Sequence, residues 1–248
     1  MEYNPFTLAG KTVLITGASS GIGQAIAIEC AKLGATCVIS GRNEERLQTT
    51  FNQLSGGDHL ILAGDITDRE SLLALVSHCP QLDGLVCNAG INKTDPIYFL
   101  KQQDIEEVFA INTIAPMMLL QALLNQRRIN PQASIVFTSS LDAVTPAITT
   151  TAYGASKAAL TNFMKVCAKE LAPRKIRSNA IHPGMVETPI LKEMHMSEDE
   201  ISRDKEQYIM KRYGRPEEIA WAVIYLLSDA AAWVTGSVLT VDGGYSIR

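Results

Sequence analysis

The chain has 248 residues, 46% hydrophobic and 19% charged, with 22 Lys and Arg against 26 Asp and Glu for a net charge of −4. That is apolar enough for one sizeable core, which excludes a largely disordered chain. The acidic balance also argues against a protein that coats nucleic acid.

Short β-rich runs alternate with helix-length segments from end to end. Residues 12–16 form a first strand that stops at Gly17, and 21–33 show helical spacing that ends at Gly34, a helix-stop signal. Residues 37–40 read as the second strand, followed by a charged helix from about Asn43. Further strands are expected at 60–63, 84–87, 134–138, 178–181 and 238–241. The runs are apolar on both faces, which means parallel strands covered by helices on both sides. The expectation is an α/β, doubly wound (Rossmann) parallel seven-stranded sheet in a single domain over 1–248, since no linker or repeat divides the chain. Residues 186–212, rich in charge and Met, interrupt the rhythm and read as a lid over a site.

The five cysteines (30, 37, 79, 87 and 167) include no C-x-x-C pair, so neither a disulfide framework nor a zinc site is expected, and a reducing compartment fits best. The first residues have neither a basic nor an apolar signal region, and no run approaches the ~20 apolar residues that cross a bilayer. A cytoplasmic protein with no membrane partner is the expectation.

The segment Thr16-Gly17-Ala18-Ser19-Ser20-Gly21-Ile22-Gly23 joins the first strand to the first helix. Its glycines let the backbone turn sharply and approach a ligand, and the helix start favours a phosphate. With Asn88-Ala89-Gly90 after the fourth strand, Tyr153-Gly154-Ala155-Ser156-Lys157, Pro183-Gly184 after the sixth, and Val241-Asp242-Gly243-Gly244 near the end, it resembles the short-chain dehydrogenase/reductase family along nearly the whole chain. Within that family the motif set looks most like β-ketoacyl-acyl-carrier-protein reductases and related carbonyl reductases.

Tyr153 and Lys157 stand four apart, on one face of a helix. A free phenol titrates near 10, and a neighbouring ammonium should lower that value enough to make Tyr153 a general acid for a carbonyl oxygen. The family's catalytic serine lies thirteen residues before the tyrosine, which selects Ser140, with Ser139 as the alternative. Its hydroxyl can stabilise charge on the substrate oxygen. The resemblance implies Asn112 as a fourth member, holding a water that relays protons to Lys157.

The second strand ends in Ser40-Gly41-Arg42-Asn43, with glycine where NAD-preferring members carry Asp, and Arg42 offers a planar fork to a 2′-phosphate. NADP(H) is therefore expected over NAD. The resemblance implies cofactor contacts from Gly17, Ser19, Ser20, Gly21, Ile22, Gly23, Asp65, Ile66, Asn88, Ala89, Gly90, Pro183, Gly184, Val186 and Thr188, besides Tyr153 and Lys157. Asp65 reads equally as a charge at a helix start. His182 reads as a turn residue, and His59, His78 and His195 have no metal-like spacing. Residues 198–200 read as a solvated helix start. Met185, Met194, Met196 and Met210 either line an adaptable pocket or fill core.

The implied activity is hydride transfer between a nicotinamide and a carbonyl or secondary alcohol. The substrate is a small carbonyl compound, a β-ketoacyl thioester carried by acyl carrier protein or else a sugar, polyol or other small ketone. Arg174 matches a basic position that such reductases use for the carrier, whereas Arg127-Arg128 does not fall cleanly on the companion position. A non-catalytic dinucleotide-binding protein is the alternative of another class. The resemblance also implies a homodimer or homotetramer, for which Ala155, Ala158, Ala159 and residues 238–245 are suitable contacts.

Overall fold

The computed structural model describes residues 3–189, 191 and 196–247. Its seven strands are β1 (Thr12–Thr16), β2 (Thr36–Gly41), β3 (Leu60–Ala63), β4 (Leu82–Cys87), β5 (Ile129–Thr138), β6 (Arg177–Pro183) and β7 (Val238–Val241). They form one parallel sheet in the order β3-β2-β1-β4-β5-β6-β7. The described α-helices are α1 (Gly21–Lys32), α2 (Glu44–Phe51), α3 (Arg69–His78), α4 (Gln102–Phe109), α5 (Ala115–Asn125), α6 (Thr151–Glu170), α7 (Glu198–Lys205) and α8 (Pro216–Leu227).

Both faces of the sheet are buried, as the uniformly apolar strand runs require. Leu14, Leu85 and Phe137 pack with Leu119, Leu160 and Met164 on the α5 and α6 side. Their chain neighbours Val13, Ile15, Val86 and Val136 turn to Ile26, Val223 and Ile224 on the α1 and α8 side. This is the period-two alternation of a strand between two helical layers. The chain reverses its direction of winding between β1 and β4, and in such sheets ligands bind at the strands' C-terminal ends beside that point.

Two expectations about elements need correction. β5 begins at Ile129, where Leu82 pairs with it across a register shift, although Pro131 and the positive φ of Gln132 make that stretch read as a loop. The run Gln102–Asn125 is a continuous helix with an 18-residue stretch apolar enough, at a mean hydropathy of 1.5, to meet the length and composition of a membrane span. Half of that stretch is buried, and Leu119, Leu120 and Leu123 pack on the sheet, so its hydropathy is that of a core helix.

Within that run, residues 110–114 form a single π-helical turn. Pro116 has no N–H to return to the carbonyl of Asn112, four residues earlier, and the turn widens where the ladder is interrupted.

Candidate active site

The glycine loop is held by one hydroxyl. Thr16 Oγ1 accepts from the N–H groups of Asn88 and Ala89 at 3.0 and 3.1 Å, and Asn88 Nδ2 donates to the Thr16 carbonyl at 3.2 Å. The exits of β1 and β4 are thereby locked together. Gly17 has φ +68°, and a Cβ there would lie 2.8 Å from Ala89 Cα. A Cβ on Gly23 would lie 2.2 Å from the Gly17 carbonyl oxygen, so neither position accepts a side chain. Ser20 precedes α1 without a side-chain cap, and the first turn carries no acidic residue. The loop with Ser19, Ser20 and Ile22 thus presents a helix N-terminus open to an anion, and these residues fit the pyrophosphate of a dinucleotide.

Gly41 and Arg42 leave β2 beside this loop, with the position for a Gly41 Cβ 3.5 Å from Ser19 Oγ. Arg42 is exposed. Its charge helps to hold the Asp65 carboxyl below the usual carboxylate range, after the larger effect of the Thr67 hydroxyl. Asp65 accepts from Thr67 N at 2.9 Å and Thr67 Oγ1 at 2.6 Å, so it caps the turn ahead of α3. Ile66 packs into the core.

The two serines after β5 divide. Ser139 Oγ donates to the Lys157 carbonyl at 2.9 Å and lies 2.8 Å from Thr161 Oγ1, which in turn lies 3.0 Å from His182 Nε2. This buried network ties β5, α6 and β6 together. His182 is therefore a strand residue rather than a turn residue, and burial pushes its pKa down. Ser140 instead faces Tyr153, whose phenol shares a hydrogen bond with its hydroxyl. The Ser140 Oγ also accepts from Asp142 N at 3.1 Å and lies 3.5 Å from Asp142 Oδ2.

Lys157 is buried, and its Nζ donates to the Thr138 carbonyl at 2.9 Å while lying 5.7 Å from the centre of the Tyr153 ring. The expected lowering of the Tyr153 pKa is not what the structure gives. Burial pushes the phenol up to about 12, the Ser140 hydrogen bond opposes this, and the Asp142 carboxylate adds to it. Burial also brings Lys157 down to about 8. Loss of hydration is the larger effect at both groups, because the ammonium is turned to a carbonyl instead of the phenolic oxygen.

Asn112 Oδ1 accepts from Ile91 N, and its Nδ2 donates to the Ile91 carbonyl, both at 2.9 Å. Nδ2 also lies 3.1 Å from Ser156 Oγ, one residue before Lys157. A Cβ on Gly90 would fall 3.1 Å from Asn112 Oδ1 and 3.2 Å from Lys157 Nζ, so Gly90 brings bare backbone against both. Asn112 thus pins the loop after β4 to α6.

After β6, Gly184 N donates to the Val241 carbonyl at 3.0 Å, which docks Pro183-Gly184 on the C-terminal segment. Val186 bridges to Gly214. Thr188 Cγ2 sits 3.3 Å from where a Gly21 Cβ would be, so the glycine loop and the segment after β6 meet. Farther on, α7 carries a capping box between Ser197 and Glu200, as the acidic run at 198–200 suggests. Tyr208 OH accepts from Met185 N at 3.2 Å. Met194 and His195 lie outside the described residues, and Met210 is exposed. All five cysteines are free thiols. Among the described residues no group of three His, Cys, Asp or Glu is arranged to hold a metal ion.

Sequence reasoning missed Thr16, Ser156 and Asp142. Only Asp142 carried a signal, an acid two residues beyond Ser140.

A family model described as Enoyl-(Acyl carrier protein) reductase matches residues 17–246. The chain belongs to the short-chain dehydrogenase/reductase family. It is 36% identical to glucose 1-dehydrogenase of Gluconobacter oxydans (strain 621H), covering 96% of this chain and 93% of that protein. It is also 36% identical to the 3-oxoacyl-(acyl-carrier-protein) reductase of Rickettsia bellii, covering 96% and 97%. A solved structure from Beutenbergia cavernae, described as that of a candidate NAD(P)-dependent gluconate 5-dehydrogenase with NADP bound at low occupancy, superposes with a TM-score of 0.90 at 30% identity, over 99% of this chain and 100% of that one. Short-chain dehydrogenases/reductases are oxidoreductases that use nicotinamide cofactors on small-molecule substrates, and this chain carries the family's Tyr-x-x-x-Lys pair at 153 and 157.

Proposed function

We propose that the protein is an NADP(H)-dependent oxidoreductase acting on a carbonyl compound or the corresponding secondary alcohol. The observation that carries this reading is the meeting of Ser140, Tyr153 and Lys157 at the C-terminal ends of the strands, the end from which the glycine loop also leaves. A nicotinamide cofactor held by the glycine loop and Lys157 would supply or accept the hydride. Tyr153 gives its proton to the substrate oxygen during reduction, and burial keeps it in the acid form this requires. Ser140 donates to the same oxygen as charge develops there. Lys157 stands close enough to the ring to offset charge left on the phenol. The Asn112 carbonyl, denied a helical donor by Pro116, is suited to a water that returns protons towards Lys157.

NADP(H) over NAD(H) is supported by Gly41 and Arg42, and by the relative described with NADP bound. Residues 186–212 serve as the substrate cover, a role that fits the approach of Thr188 to Gly21. The exposed apolar Ile114, at the end of the π-helical turn, and Met118 on α5, with exposed Ala155 and Val166 on α6, suit a homodimer or homotetramer built across these helices. The free, buried cysteines suit the cytoplasm.

A β-ketoacyl thioester is a substrate suggested by the Rickettsia relative. Arg174, the cation matched to carrier binding, donates to the Ile129 carbonyl instead of standing free at the surface. The sugar or polyol reading is favoured by the carboxylate of Asp142 beside Ser140. NADPH oxidation followed with acetoacetyl thioester and a ketose panel, and NADP reduction with polyols, tests the proposal. Turnover with NADPH supports it, and no turnover with any ketone or alcohol contradicts it.

A further inference from the structure

Resting on that reading, one residue bears on which carbonyl compounds the site accepts. Asp142 sits in the turn after β5, half-buried. Its Oδ1 accepts from Ala147 N at 2.9 Å and from Thr150 Oγ1 at 3.4 Å, which ties the turn to the loop ahead of α6. A Cβ on Gly154 would lie 3.0 Å from the Asp142 carbonyl oxygen, so the first turn of α6 is seated directly on this residue. The carboxylate is thereby fixed through one oxygen.

The other oxygen has a different setting. Asp142 Oδ2 lies 3.5 Å from Ser140 Oγ, longer than a good O–H···O hydrogen bond, and keeps acceptor capacity. Ser140 in turn shares its hydroxyl with Tyr153. A negative charge thus stands beside the two hydroxyls that meet the reacting oxygen. Tyr153 registers that charge, since Asp142 contributes to its raised pKa.

A fixed carboxylate at that distance treats neighbouring substrate groups unequally. A hydroxyl on the carbon next to the carbonyl can donate to Oδ2, a charge-assisted hydrogen bond. A carboxylate in place of that carbon, as in a 2-oxo acid, meets a like charge a few ångströms away at a half-buried site, where screening is weaker than in water. We infer that Asp142 is a specificity-determining residue, which selects an uncharged α-hydroxy ketone or its vicinal diol, the chemistry of a ketose and a polyol, against a 2-oxo acid.

The test compares kcat/KM of the NADPH-loaded enzyme for 2-pentanone, 1-hydroxy-2-pentanone and 2-oxopentanoate, in the wild type and in Asp142→Asn and Asp142→Ser. Both variants keep a short polar side chain for the Ala147 N–H and remove the charge. The wild type is expected to prefer the hydroxy ketone to the oxo acid, and each variant to reduce that ratio by about tenfold or more. A structural loss lowers all three values together and leaves the ratio unchanged. An unchanged ratio in both variants, or a wild type that reduces the oxo acid as well as the hydroxy ketone, overturns the inference alone. A wild type that oxidises NADPH with none of the three overturns the inference, and the reductase reading falls with it only when acetoacetyl thioester, the ketose panel and the polyols are inert as well.

Discussion

Asn112 holds the peptide of Ile91 at both its N–H and its carbonyl, each at 2.9 Å. Ile91 follows Gly90, and Gly90 lies against Lys157 Nζ, so this clamp fixes the wall of the site on which the lysine rests. Asn112→Ala leaves two backbone groups without their partner and opens a small cavity. A loss of about 2–4 kcal/mol in folding stability is expected, read by denaturant unfolding. Asn112→Asp keeps the acceptor and removes the donor, and should fall between Asn112→Ala and wild type. Wild-type stability in Asn112→Ala would refute the clamp.

The two serines after β5 give a direct contrast. Ser139 belongs to the buried network with Thr161 and His182, whereas Ser140 faces Tyr153. Ser139→Ala should lower stability by about 1 kcal/mol with kcat within a few-fold. Ser140→Ala gives up the bond from Asp142 N and should also lower stability by about 1 kcal/mol, but it should reduce kcat by about 10²–10³-fold. Steady-state kinetics separate the two, with thermal unfolding on the same preparations as the control, and the reverse pattern in kcat would assign the substrate contact to Ser139.

Cofactor choice rests on the end of β2. The place for a Gly41 Cβ has only ordinary contacts, 3.5 Å from Ser19 Oγ and 3.6 Å from Leu47 Cδ2, so a side chain fits. Gly41→Asp combined with Arg42→Ala should reverse the preference, lowering kcat/KM for NADPH relative to NADH by on the order of 10²-fold. A double variant that still prefers NADPH would place the discrimination elsewhere.

Lys157 predicts an alkaline signature in stability. Its pKa is lowered by burial to about 8 in the folded chain, below the ordinary 10.5 it regains on unfolding. Between those values the unfolded chain binds the extra proton, so stability rises with pH through this window and the penalty is fully present below it. Tyr153, held near 12, acts oppositely, and stability falls as pH rises from about 10 to 12. Comparing wild type with Lys157→Met at pH 7.5 and 9.5 isolates the lysine. The variant's stability advantage should shrink by roughly 1–2 kcal/mol at the higher pH, and a constant difference would mean that Lys157 titrates normally.

Much of the fold was legible because the inner strands are buried on both faces, so Thr12–Thr16 and Thr36–Gly41 stand out as predominantly apolar runs. Ile129–Asn130 did not, because Pro131 beside them signals a loop, while the actual pairing with Leu82 depends on a register shift set by the neighbouring strand. His182 was misread for a similar reason. Pro183-Gly184 signals a turn, but β6 runs to Pro183 and its face buries the imidazole. The spacing of Tyr153 and Lys157 identified the pair correctly as neighbours. It could not show that the ammonium turns to the Thr138 carbonyl, or that burial outweighs charge at the phenol. Side-chain rotamers and desolvation belong to the assembled fold, and Asp142 gained its setting only when the turn after β5 met α6.

The most direct measurement is kcat for Tyr153→Phe alongside its NADPH dissociation constant. The substitution removes one hydroxyl and keeps the ring that Lys157 faces. Turnover should fall by about 10³-fold or more while NADPH affinity stays within a few-fold of wild type. Turnover within tenfold of wild type at saturating substrate would contradict Tyr153 as the proton donor.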